Sequence, residues 1–135
     1  MHSLSTVLSQ PGEAMYLCLG DHLQMIVDRF GFDGLGEAER TLWFASQFEA
    51  GVTAGGLLGY HGSPAWRFAS STVEALARVG ATQDASVLRR AISLYEGDLE
   101  GLEELCSELA CSTDDLCGLI CAYARSCSGE LLRVE

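Results

Sequence analysis

Apolar residues recur at three- and four-residue steps through most of the chain, and no strand-like alternation persists anywhere, so the pattern predicts helices throughout. From Glu13 to Phe30, the residues Met15, Cys18, Leu19, His22, Leu23, Ile26 and Phe30 share one helical face, and Gly31 stops the run. Phe32 to Gly36 reads as a loop. Glu37 to Ala50 follows as a helix, acidic in its first turn as the helix dipole prefers, with Leu42, Ala45 and Phe48 as its core stripe. A glycine-rich corner leads to Ser63-Pro64, where a capping serine and a first-turn proline predict a helix over 64–79 that packs through Phe68, Thr72, Val73, Leu76 and Val79. Gly80 closes it. Thr82 or Asp84 then caps a helix through Tyr95 with Val87, Leu88, Ala91, Ile92 and Tyr95 inward. Gly97 ends that helix, Asp98 caps the next to about Ala110, and Ser112-Thr113-Asp114-Asp115 opens a last helix through Cys127. Residues 1–12 read as a polar start and 128–135 as a frayed end. The expected architecture is one all-α, bundle-like domain over residues 1–135, about six helices joined by short loops. Both tryptophans, Trp43 and Trp66, are expected in its core.

Composition changes this picture in three ways. A chain of 135 residues with 48% apolar content is large enough to fold without cross-links despite a net charge of −11. No apolar run is long enough for a membrane span and no arginine or lysine precedes Arg29, so a cytoplasmic location with reduced cysteines is expected. The basic residues are eight arginines and no lysine. That excludes a phosphate-loop lysine, a Schiff-base lysine and the mixed basic patches of nucleic-acid surfaces, so direct nucleic-acid binding is not expected. The glycine corner at 51–62 is accordingly read as a packed turn.

The corner also carries a resemblance. Gln47-Phe48-Glu49, Gly55-Gly56-Leu57, Tyr60 and the helix ending at Val79-Gly80-Ala81 resemble the signature of a bacterial family of small domains of unknown function. That family includes the acidic DNA-mimic protein nineteen. The similarity continues through Ala85, Leu88, Ala91, Ile92 and Tyr95, and returns in Leu102 to Leu109 and Asp114-Asp115-Leu116 to Tyr123, a region of about 40–127. Leu57, Gly59 and Ser63 stand where the family usually shows aromatic, glutamine and asparagine residues. The resemblance implies a homodimer that acts on a basic partner such as a DNA-binding regulator.

Charge patterning points the same way. Residues 91–124 hold Glu96, Asp98, Glu100, Glu103, Glu104, Glu108, Asp114 and Asp115 and no arginine, so this quarter of the chain carries eight of the eleven net negative charges. On a helix, Leu102, Leu105, Cys106 and Leu109 fall together, and Glu100, Glu103, Glu104 and Glu108 fall opposite. A face that only aids solubility would normally mix in cations, because like charges one turn apart cost a helix roughly 0.2–0.5 kcal/mol per pair. Carboxylates four residues apart stand about 6 Å apart along the axis, a spacing of the order of successive phosphates on a nucleic-acid strand. The eight acids are the candidate partner-binding residues, and a cationic toxin or nuclease would recognise them by the same physics.

A different class of function is carried by cysteine. Cys106, Cys111, Cys117, Cys121 and Cys127 crowd into the last two helices, and Cys117 and Cys121 stand one turn apart, a spacing that admits Cu(I), zinc or redox chemistry. A structural zinc site wants four ligands, and no histidine lies near in sequence, so small reduced core residues are the favoured reading and no cofactor or metal is assigned. No hydrolase, zinc-protease or C-x-x-C motif is present, so no enzyme is expected; His61 is the residue to test as a base.

Overall fold

The computed structural model describes residues 12–127 and Leu131, and every regular element among them is helical. Six α-helices follow in order: α1 (Gly12–Phe30), α2 (Glu37–His61), α3 (Ala69–Arg78), α4 (Thr82–Ser93), α5 (Leu99–Ala110) and α6 (Leu116–Ser126). Short 3₁₀ turns at Phe32–Gly34 and Pro64–Phe68 join the first three. The central element is α2, which packs against α3, α5 and α6; α1 lies on α6 and α2, and α4 bridges α3 and α5.

The apolar stripes account for this arrangement. Met15, Leu19, Leu23 and Ile26 of α1, Leu42, Ala45 and Phe48 of α2, Leu76 of α3, Leu88 of α4 and Ile120 of α6 are all essentially removed from solvent. His22 is buried with the α1 stripe. At the start of α2, the carboxylate of Glu39 accepts the Gly36 N–H at 2.9 Å and so satisfies one free helix-end donor.

The glycine corner is tighter than its sequence suggests. Helix α2 runs on past Ala50 to His61, with a kink at Gly55 (φ −152°, ψ 20°) and Gly56 (φ 66°, ψ −168°). The Gly56 conformation is essentially restricted to glycine. Beyond the kink the last turn of α2 places Tyr60 against Phe48, ring centroids 4.9 Å apart, and the Tyr60 hydroxyl donates to Thr72 Oγ1 at 3.2 Å, tying α2 to α3.

Several local expectations are corrected. The helix expected over 64–79 is a 3₁₀ turn followed by α3, and Ser63 makes no cap: its hydroxyl donates back to the Tyr60 carbonyl at 2.7 Å. The tight turn sends Trp66 to Tyr60 and His61 while Phe68 joins Phe32 and Phe44, so tertiary aromatic contacts accompany a winding that a local cap signal does not encode. Helix α4 ends at Ser93 because Leu94 turns extended (φ −69°, ψ 142°), which leaves Tyr95 outside it and 77% exposed. Ile92 and Phe30 also face solvent, Phe30 beneath the Arg29 guanidinium. Trp43 and Trp66 are half-buried at the core margin. Leu131 is buried against the core, so the expected fraying does not hold there; the polar start at 1–11 and the other residues past Cys127 lie outside the described residues.

Candidate functional site

Helix α5 is amphipathic as its sequence predicts. Leu102, Leu105 and Leu109 are buried and Cys106 half-buried, while Glu100, Glu103, Glu104 and Glu108 are exposed on the other side. Glu96 is exposed on the turn before the helix, where Gly97 adopts a positive φ of 90°. The Asp98 carboxylate accepts the Gly101 N–H at 2.9 Å, which makes it the N-cap of α5.

The eight acids therefore differ in freedom. Arg90, the residue just before the arginine-free stretch, reaches across from α4 and grips Glu108 through two hydrogen bonds, Nη1 to Oε2 at 2.9 Å and Nη2 to Oε1. That pairing lowers the Glu108 carboxyl below its ordinary range. Asp114 is also occupied: one of its oxygens accepts the backbone N–H groups of Gln83 at 2.9 Å and Asp84 at 3.0 Å, capping α4 from thirty residues away. Asp115 caps its own helix, accepting the Gly118 N–H at 3.2 Å. Glu96, Glu100, Glu103 and Glu104 carry no ion pair among the described residues; all four are exposed, Glu96 just before α5 and the other three on it.

Sequence reasoning missed the Asp114 cap and the Arg90 clamp because both join residues far apart in the chain. The cap expected for α4 from Thr82 or Asp84 is not made: Ala81 stands at the N-cap with no side-chain cap bond, and Asp84 is instead buried under the same loop. Burial raises the Asp84 carboxyl, the neighbouring Asp114 charge adds to the rise, and a hydrogen bond with Ser112 opposes it.

A second cluster lies beneath α6. Glu49 accepts hydrogen bonds from the Tyr16 and Thr53 hydroxyls, each at 2.8 Å, next to a cavity of about 260 Å³ that Asp115 and Cys117 also line. Burial, then the Glu49 hydrogen bond and charge, drives the Tyr16 phenol well up and keeps it a donor. The Cys117 thiol is pushed up to about 11, first by burial and then by Cys121, whose own thiol is raised by burial. Both stay protonated at neutral pH, the form that is a poor nucleophile and a poor ligand. All six cysteines are free thiols, and among the described residues no group of three or more His, Cys, Asp or Glu is arranged to hold a metal. His61 packs on Trp66, ring centroids 4.5 Å apart.

A helical domain whose α5 has one core face and one carboxylate face turned to solvent defines the class: an acidic all-α protein. The chain belongs to the DMP19-like protein family, whose model matches residues 33–129. The match begins in the turn before α2 and passes the end of α6, so it takes in the glycine kink and the whole acidic helix. No curated protein and no solved structure matches the chain. No helix among the described residues is long and apolar enough to cross a membrane.

Proposed function

We propose that this protein is an acidic interaction protein that docks on the basic surface of a DNA-binding protein and competes with DNA for it. The observation that carries the reading is the unpaired row Glu96, Glu100, Glu103 and Glu104, displayed in a chain of a family whose resemblance implies a DNA mimic. Asp98, Glu108, Asp114 and Asp115 complete the acidic surface. Backbone N–H bonds hold Asp98, Asp114 and Asp115 in position without neutralising them, whereas Arg90 offsets the charge of Glu108. Long-range attraction between this field and a cationic groove speeds encounter and weakens with salt. Self-association into a homodimer, which the family resemblance implies, would set two such faces in one particle; sedimentation equilibrium checks it.

The test is capture from a lysate of the source organism on immobilised protein, eluted by a salt gradient, beside a Glu100→Gln/Glu103→Gln/Glu104→Gln variant. A DNA-binding protein that elutes at moderate salt from the native column only, and is displaced by its own DNA site, is the expected result. A cationic nuclease or toxin in its place would make this an immunity-type inhibitor using the same face. Identical eluates from both columns would reduce the face to a solvated surface.

A further inference from the structure

Beside the acidic row, where α4 gives way to α5, lies a cavity of about 420 Å³. Its lining residues include the aromatic His61, Trp66 and Tyr95 and the acids Glu96 and Asp98, beside apolar residues of α4, α5 and the turn between them; no arginine lines it. Trp66 is held in place by two neighbours, His61 at 4.5 Å and Tyr60 at 6.0 Å between ring centroids. Tyr95 and Leu99 are 77% and 64% exposed, large side chains left in water at the rim of a formed pocket. Helix α5 begins here, but Asp98 already accepts the Gly101 N–H, so its positive end is met within the chain.

We infer that this pocket is a receptor for a guanidinium group, the arginine side chain of the basic partner. An aromatic face attracts a cation, and a planar, weakly hydrated guanidinium stacks on rings better than an ammonium does. Its N–H groups would bond the carboxylates of Glu96 and Asp98. A purely apolar occupant would strip water from those two carboxylates without replacing its hydrogen bonds, and an anion would meet like charge. The assignment of the arginine to a protein partner rests on the docking function proposed above; the guanidinium pocket itself is measured without the partner. It adds a fixed anchor to a surface that otherwise attracts by charge alone, as a hot spot does in a charged interface.

The experiment titrates N-acetylarginine amide, with the neutral isostere N-acetylcitrulline amide as control, into Trp43→Phe protein, so that Trp66 is the fluorophore, and follows backbone amide shifts by NMR. Saturable binding of the arginine probe, with shifts confined to the residues around Trp66, Tyr95 and Glu96 and much weaker binding of the citrulline probe, is expected. Tyr95→Ala should weaken it about two- to fivefold, the range of an exposed cation–π contact, and Glu96→Gln should weaken it too. Both side chains are exposed, and an unchanged circular dichroism spectrum establishes that the variants fold. Equal binding of the two probes, or arginine shifts that fall on Glu103 and Glu104 and not on the pocket, would overturn the inference. The Glu100→Gln/Glu103→Gln/Glu104→Gln variant separates the two claims. If it releases the partner while native protein fails to bind the arginine probe, the face is used and the pocket is not; if it keeps both partner and probe, the pocket stands and the acidic row fails.

Discussion

Asp114 and Asp115 adjoin in the chain, but one caps α4 and the other caps α6. Asp114→Ala leaves two backbone N–H groups without their acceptor and is expected to cost about 1–2 kcal/mol in urea unfolding, against about 1 kcal/mol for Asp115→Ala. Asp114→Asn should keep most of the stability, since an amide oxygen still accepts. The pH dependence at Asp84 has a definite sign. Its folded-state carboxyl is raised above the ordinary value of 3.8, so the folded protein binds the proton more tightly than the unfolded chain does. Asp84's contribution to the unfolding free energy therefore falls as pH rises from about 3.8 through the folded value, and that loss is complete above it. Asp84→Asn should gain on the native protein across that window and hold its advantage at neutral pH, as pH-resolved urea unfolding would show. The Asp98 and Asp115 caps were legible in the sequence because a cap lies beside its own helix; Asp114 serving α4 was not, because its partners lie thirty residues upstream.

At the scale of elements, the kink in α2 decides how the aromatic end of the fold is built. Gly56 holds a backbone conformation that other residues reach only with strain, whereas Gly55 has a negative φ and open space around it. Gly56→Ala is expected to cost about 1–3 kcal/mol, with a smaller loss for Gly55→Ala, measured by thermal or urea unfolding. Tyr60→Phe removes the hydroxyl bond that ties α2 to α3 and should cost about 1 kcal/mol. The existence of each of the six α-helices was readable because the apolar period spans whole helices. Boundaries failed at 50, 64 and 94, where the chain follows aromatic packing or a glycine-only conformation that no local propensity encodes.

For the whole molecule, charge presentation and stability pull against each other. Glu100 and Glu104 stand one turn apart on α5 in a chain of net charge −11, and like charges at that spacing oppose the helix by roughly 0.2–0.5 kcal/mol per pair. The Glu100→Gln/Glu103→Gln/Glu104→Gln variant should thus unfold at slightly higher urea than native protein in low salt, with the gap closing in high salt. Loss of partner binding together with a gain in stability is the signature of a face kept for function rather than for folding. Thiol labelling probes the same fold: Cys111, exposed, should react fastest, and Cys121, buried, should wait for unfolding.

Taken alone, the chain's order of apolar and polar residues determined that the protein is helical, how many α-helices it has and in what order, which face of α5 is buried and that its acids are massed in one quarter of the length. These follow from periodicity and composition, which act over a few residues and need no knowledge of neighbours. The tertiary structure decided which acids keep their charge unpaired and where the chain leaves a cavity. Arg90 meets Glu108, Asp114 meets the start of α4, and Trp66 meets Tyr95 and Glu96 around one pocket only because helices distant in sequence pack side by side. Such contacts depend on the angles and positions of whole elements, and those are settled by the shared core rather than by any segment within it.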